Sequence, residues 1–269
     1  MLDPYLPEGV SIEWTNLRSN DDIRDAVATG RIDISSVSMT TIISAIENEF
    51  PLMIISSSFI SPSYFYSNND LIKEFKDINT SARIAIESKG GIIHTALMLE
   101  FFEVFGNYSS YNSSIFTMPN AEMLASLANT KDIDCAVVSF PNNIVADNMN
   151  NLTMFDDLTY TMEKHGLISC FITSQLFYKE KPYLIDAFRR ASLDAVKFIN
   201  DNPVEASELL ANDYGVEPVH IENIFRKYPA RLEIRGYDEI ADLMLEYGIL
   251  SKPAGKFSAL PNYNDIPKY

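Results

Sequence analysis

The sequence is short of cysteine, tryptophan, histidine and positive charge, and each shortage removes a class of protein. Two cysteines among 269 residues, Cys135 and Cys170, set neither a disulfide framework nor a redox compartment. Each lies in an apolar run and reads as a small buried hydrophobe. The three histidines, His94, His165 and His220, stand far apart in the chain and show no metal-ligand spacing. Lys and Arg number 21 against 37 Asp and Glu, a net charge of −16. That balance disfavours nucleic acid and an acidic membrane surface as partners. No apolar run reaches the roughly 20 residues of a membrane span. No nucleophile elbow and no Ser/His/Asp arrangement stands out, so no catalytic residue, metal or cofactor is assigned.

What is present is apolar enough to fold. Hydrophobic residues make up 46% of the chain, and the length suits one large domain or two lobes. The stretch that organises the rest is residues 20–40, NDDIRDAVATGRIDISSVSMT. Ile23, Ala26 and Val27 recur at helical spacing. Asn20 is the expected N-cap, Asp21 and Asp22 suit the positive helix end, and Gly30 stands where a left-handed C-terminal cap would be. Ile32 then enters a strand that ends in the hydroxyl-rich run of Ser35, Ser36, Ser38, Thr40 and Thr41.

The same unit recurs about 100 residues later, in residues 120–141, NAEMLASLANTKDIDCAVVSFP. Ile32-Asp33 matches Ile133-Asp134, and the exit Val37-Ser38 matches Val138-Ser139. An offset of this length is too long for a solenoid. It predicts two similar α/β lobes, each offering a strand-end loop to a shared cleft. Chance likeness of helix-turn-strand units is the alternative.

Three further stretches offer strand ends. Residues 52–55 form a buried strand that empties into Ser56, Ser57 and Ser58. The strand at 83–86 ends in Glu87-Ser88-Lys89-Gly90-Gly91 and leads into a helix with His94 in its first turn. Glycines and a helix N-terminus make an anion seat there, with Lys89 as an added cation; a tight turn with a solvated Lys89 is the alternative reading. The second repeat exits at Ser139-Phe140-Pro141. The opening, MLDPYLPEGVSIEW, carries neither the basic region nor the apolar run of a signal peptide. Residues 10–15 alternate and read as a strand, with Trp14 in the core or at a cleft rim. A doubly wound lobe normally has a strand and helix ahead of this point, so the chain is expected to lack a first β-α unit. The last 20 or so residues read as an extended tail.

Taken in order, LPEGVSIEW, DAVATGRIDISSVS, LMIISSS, KDIN, IAIESKGG and FYKEKPYLIDAFRRASLDAVKFINDNPVEA make the chain similar to extracytoplasmic solute-binding proteins of ABC importers, of the nitrate/sulfonate/taurine and pyrimidine-precursor (thiamine biosynthesis) type. The resemblance implies an α/β, two-lobed periplasmic-binding-protein-like fold (type II). Each lobe would be a mainly parallel sheet flanked by helices, with a hinge of crossing strands. Residues 1–66 and 171–269 would form the first lobe and 67–170 the second. Ligand contacts would fall on Ser38, Met39, Thr40, Ser57 and Ser58 in the first lobe. In the second they would fall on Ser88, Lys89, Gly90, Gly91, His94, Ser139, Phe140 and Pro141. Hydroxyls and N–H groups suit a sulfonate-like or nitrate-like oxyanion, while Trp14, Tyr64 or Phe140 would stack on a pyrimidine-like ring; the two stay open. The implied protein is a monomer outside the cytoplasm that hands a small molecule to a permease and its ATPase. A ligand-sensing domain of the same fold is the alternative. A pyrimidine-precursor synthase is the remaining reading, against which stands the absence of that branch's cysteine cluster.

Overall fold

The structure, a computed structural model, describes residues 2–17, 19–58, 60–130 and 132–255. In chain order these form α1 (Asn20–Ala28), β1 (Ile34–Ser38), α2 (Met39–Glu47), β2 (Leu52–Ser57), β3 (Ser63–Ser67), β4 (Ile84–Ile86) and α3 (Ile92–Phe105). There follow β5 (Ile115–Thr117), α4 (Asn120–Asn129), β6 (Cys135–Ser139), α5 (Asn142–Asp147), β7 (Thr153–Asp157) and α6 (Leu158–His165). The chain ends with β8 (Ser169–Ser174), α7 (Gln175–Glu180), α8 (Pro182–Asp201), α9 (Pro203–Tyr214), α10 (Pro218–Lys227) and α11 (Tyr237–Glu246). Two compact units result, one of Met1–Ile60 with Ile168–Tyr269 and one of Ser61–Leu167. The expected tail falls mostly in residues 256–269, outside the described residues.

In the first unit, α1 starts one residue earlier than expected. Ser19, extended at φ −142° and ψ 158°, is the cap, and its Oγ accepts from Asp22 N at 3.1 Å. Asn20 is already helical. The helix closes on Gly30 at φ +75°, with Gly30 N donating to Val27 O and Arg31 N to Ala26 O, the paired bonds of a Schellman end. Ile32 N also donates to Ala26 O. Those amides are used to finish the helix, so β1 starts at Ile34 and not at Ile32.

The sheet of this unit has the order β1-β8-β2. β1 and β2 run the same way, as a doubly wound lobe requires, yet β8 lies between them and is antiparallel to both. The register sets Ser38 opposite Ser169 and Ser57 opposite Cys170. On one face Ile55, Phe177 and Ile185 form a cluster with Phe171 and Phe188, whose rings meet edge to face at 4.9 Å. Residues 10–15 take no place in the sheet and Trp14 is 85% exposed. Alternation makes a strand only where a neighbour supplies the ladder, and neither β1 nor β2 pairs with this segment.

The second unit holds the sheet β5-β4-β6-β3-β7. β5, β4 and β6 are parallel, and β3 is antiparallel to both β6 and β7. β3 therefore belongs here, and the units divide after residues 60 and 167 where 66 and 170 were expected. Period-2 alternation sends β3 side chains to two layers. Tyr66, with Tyr64 beside it, joins Ala85, Met123, Leu127, Ala136 and Val138 on the face covered by α4 and α5. Phe65 packs on Phe75 at 5.3 Å, and Phe75 on Phe101 at 5.0 Å, on the face covered by α3. Both cysteines are fully buried, and burial pushes both thiols far above their usual range.

A buried carboxylate ties the end of the described chain to α2. Glu47 Oε1 accepts from Ser251 N at 2.6 Å, Ser251 Oγ at 2.8 Å and Lys252 N at 3.0 Å. The Ser251 hydroxyl above all holds this carboxyl below its ordinary value. Glu47→Ala leaves three donors without their acceptor and is expected to lower unfolding free energy by about 2 kcal/mol in urea titration. An unchanged midpoint would show that the segment is held by something else.

Candidate ligand-binding site

The second unit has a switch point at β4. Its chain order is β4, β5, β6 while the spatial order is β5-β4-β6. The loop after β4 leads to α3 on one face and the loop after β6 leads to α5 on the other. Two loops that part in this way leave a crevice beyond the carboxyl ends of the strands, where open α/β sheets bind ligands. Antiparallel β3 brings its first residues to the same edge, with Ser63 opposite Ser139.

Three serines meet there. Ser63 Oγ lies 2.8 Å from Ser139 Oγ and donates to Ser61 O at 3.2 Å, so the polarity is Ser139 to Ser63 to Ser61. Thr159 fixes the backbone of Ser63 by accepting from its N–H at 2.8 Å and donating to its carbonyl at 3.2 Å. Phe140 N donates to Pro62 O at 2.9 Å, the Phe140–Pro141 peptide is cis, and the Phe140 ring is buried. Ser139 and Pro141 are half-buried at this edge.

Across the crevice, the loop of residues 87–91 turns sharply. Gly90 has φ +81°, a conformation that favours glycine. A Cβ on Gly91 would stand 3.1 Å from Ser88 Oγ. Gly91 is the N-cap of α3, and its carbonyl accepts from Thr95 N and Thr95 Oγ1. Ser88 and Lys89 are exposed. His94 is 6% exposed, and both its ring nitrogens are engaged within the chain. Gly90 N donates to Nδ1 at 3.1 Å, which makes Nδ1 an acceptor and places the ring proton on Nε2. Nε2–H then donates to Tyr108 Oη at 2.8 Å, and Tyr108 donates to Asn112 Oδ1 at 3.2 Å. Burial, with Lys89 adding to it, pushes His94 down to about 4, and burial pushes Tyr108 up to about 12.

The hydroxyls of the first unit are used more internally than the sequence implies. Ser38 is the N-cap of α2: its Oγ accepts from Thr41 N at 3.1 Å and lies 3.0 Å from Thr40 Oγ1. Met39 and Thr40 are 0% exposed, and Met39 N donates to Ile168 O. Ser57 Oγ donates to Arg231 O at 2.9 Å and Ser57 N to Leu232 O. Ser58 N donates to Ser169 O at 2.8 Å. Ser38, Ser57, Ser58 and Ser169 thus gather at one edge of the β1-β8-β2 sheet. Of the three aromatic candidates, Trp14 is exposed, Tyr64 packs against the α4 core and Phe140 is buried. No local pattern in the sequence marks Ser61, Ser63, Tyr108, Thr159 or Ser169 as belonging to a site. Ser63 lies in a recognisable extended Ser-Tyr-Phe-Tyr run, but nothing local tells that this run pairs with β6. Among the described residues no group of three or more His, Cys, Asp or Glu is placed to hold a metal ion.

A model of the family described as "NMT1/THI5 like" matches residues 5–206, about three quarters of the chain. The chain belongs to the NMT1/THI5-like family. Its solved structural neighbours carry the periplasmic binding protein fold. The periplasmic aliphatic sulphonate binding protein SsuA from Escherichia coli is 16% identical with a TM-score of 0.71, over 88% of this chain and 82% of that one. The alkanesulfonate-binding protein SsuA from Xanthomonas axonopodis pv. citri, solved bound to MOPS, is also 16% identical with a TM-score of 0.71, over 89% and 83%. The CA3427 gene product of Candida albicans, described as exhibiting the generic periplasmic binding protein structural fold, is 14% identical with a TM-score of 0.66, over 87% and 78%. No curated protein sequence matches the chain. The neighbours bear out the expected α/β fold of the periplasmic binding protein kind. No helix among the described residues is long and apolar enough to cross a membrane.

A test of the His94 geometry follows from linkage. The ring is neutral in the fold and takes a proton in the unfolded chain near its ordinary 6.5. Its contribution is therefore complete above about pH 6.5 and is lost as pH falls towards about 4, a change of about 3 kcal/mol. Urea titrations between pH 7 and pH 4 should show this slope, and His94→Leu should flatten it.

Proposed function

We propose that the chain is the solute-binding component of an ABC-type importer and takes up a small anionic or heteroaromatic solute outside the cytoplasm. The observation that supports the reading is the strand order of the second unit, in which the 87–91 loop follows β4, Ser139 ends the adjoining β6, and Ser63 pairs opposite Ser139. Among the residues named from the sequence, Ser88, Lys89, Gly90, Gly91, Ser139, Phe140 and Pro141 line that edge in this reading. Ser38, Met39, Thr40, Ser57 and Ser58 belong to the strand ends of the first unit. Amide donors of the 87–91 loop and the Ser88 hydroxyl would satisfy an oxyanion or a ring carbonyl without burying an opposing charge, while Ser139, whose proton goes to Ser63, would offer lone pairs to a ligand N–H. Membership of the NMT1/THI5-like family supports the binding-protein reading. So do the sulfonate-binding neighbours, which also make sulfonates the first solutes to try. The proposed partners are a permease and its ATPase, with the chain acting as a monomer and closing about a hinge on its ligand. Capture and delivery, without chemical change of the solute, is the proposed activity.

Thermal shift against MOPS, short alkanesulfonates, nitrate and an aminopyrimidine tests the reading. A true ligand at 100 times its dissociation constant stabilises by about 2.7 kcal/mol. Ser88→Ala should weaken that ligand by about tenfold, the value of one hydrogen bond, with little change in the melting temperature of the free protein, since Ser88 is exposed. Loss of response across the whole panel in the unmodified chain would sink the solute-binding reading. A response that Ser88→Ala leaves untouched would move the site away from this edge. A ligand bound by a chain that never engages a permease would favour the sensing-domain alternative.

A further inference from the structure

Resting on the reading that ligand meets the 87–91 loop, we propose that His94 and Tyr108 are positioning residues for that loop and not ligand contacts. The geometry leaves His94 no free ring nitrogen: Nδ1 receives Gly90 N–H and Nε2 faces Tyr108 Oη. Gly90 sits at φ +81° with open space around the position of a Cβ, so no side-chain packing holds its backbone there. The bond to Nδ1 spans one turn, from residue 90 in the loop to residue 94 inside α3, and so ties the loop to a rigid element.

Tyr108 then decides which way the ring faces. It lies beyond the C-terminal end of α3, is 6% exposed, and meets the His94 ring edge-on with centroids 6.0 Å apart. Its hydroxyl accepts from Nε2–H and passes its own proton to Asn112 Oδ1, so each of the three groups has one defined role. If the ring rotated by half a turn, a C–H would face Gly90 N–H and a second C–H would face the tyrosine. The ring is thereby held in one orientation and one tautomer. One outcome is that Gly90 N–H is turned inward and committed. The ligand is left with the donors that follow it and with Ser88.

The test reads the loop directly. In 15N-labelled protein at pH 7, the His94 ring should show an unprotonated Nδ1 and a protonated Nε2. The Gly90 amide should exchange with solvent at least tenfold faster in His94→Leu than in the unmodified chain. His94→Asn places a carboxamide oxygen where Nδ1 stands and should restore the slow exchange. Tyr108→Phe should turn the single tautomer into a mixture, with Nδ1 an acceptor in only part of the population. A protonated Nδ1, or Gly90 exchange that is the same in the unmodified chain and His94→Leu, would overturn the proposal. Because the ring spectrum is taken on the unmodified chain, it decides the matter even if His94→Leu fails to fold. MOPS titrations by calorimetry separate the two readings. If MOPS binds the unmodified chain, His94→Leu should weaken it about tenfold and His94→Asn should recover it. Binding that is equal in all three while Gly90 loosens would overturn the positioning role. If the unmodified chain binds neither MOPS nor any other panel solute, solute binding fails, and Gly90 exchange alone still decides the role of His94.

Discussion

The position of β6 between β4 and β3 is the constraint on which the candidate site depends. Parallel pairing with β4 sets Ile84 opposite Cys135, so the two strands end at the same edge and their loops part to opposite faces. Antiparallel pairing with β3 sets Ser139 opposite Ser63 and brings residues that precede a strand to the edge where two others end. A one-residue slip on the β3 side would turn Ser63 away from Ser139 and move Tyr66 out of the α4 core. The core and the serine chain are therefore fixed by the same register, and neither can be altered without the other.

The first unit meets a similar demand by other means. Its two parallel strands do not touch; β8 runs back between them and pairs with both. The strand-end serines are then drawn into the frame. Ser38 caps α2, Ser57 holds the Arg231 carbonyl and Ser58 holds the Ser169 carbonyl. The Ser38 oxygen takes the Thr41 N–H and lies 3.0 and 2.6 Å from the Thr40 and Thr41 hydroxyls, whereas Ser57, donating to a carbonyl, keeps lone pairs and has no proton to spare. Strand-end serines that look alike in the sequence are thus different groups at one and the same edge.

Much of the local structure is legible in the sequence. The 3.6-residue spacing of Ile23, Ala26 and Val27 marks α1, Gly30 marks its end, and the same helix-turn-strand unit reappears as α4 and β6. Pro182, Pro203 and Pro218 open α8, α9 and α10, as proline at a first turn should. The strand ends of the candidate site are legible for the same reason, since a buried apolar run followed by small polar residues is a local pattern. What is not legible is which strand lies beside which. Residues 10–15 alternate like a strand but pair with no strand among the described residues, β3 pairs with strands far along the chain, and Tyr108 reaches His94 across the length of α3. Each is decided by packing between distant segments, on which spacing is silent. Within α1 the shift of the cap from Asn20 to Ser19 is smaller in kind: both are good caps, and the backbone chose the earlier one.

The place of β8 in the chain has a consequence in time. β1 and β2 are complete by residue 57, yet the strand that joins them starts at residue 169. At a synthesis rate of roughly 5–20 residues per second, about 6–20 s pass between the two. During that interval β1 and β2 lack the strand that pairs with both, and α2 carries a carboxylate whose donors are still later in the chain. The second unit is one continuous segment and is finished first. Its helices and sheet can form on the ribosome while the first sixty residues wait. The order of synthesis thus makes the inserted unit the earlier fold and the unit that opens the chain the later one.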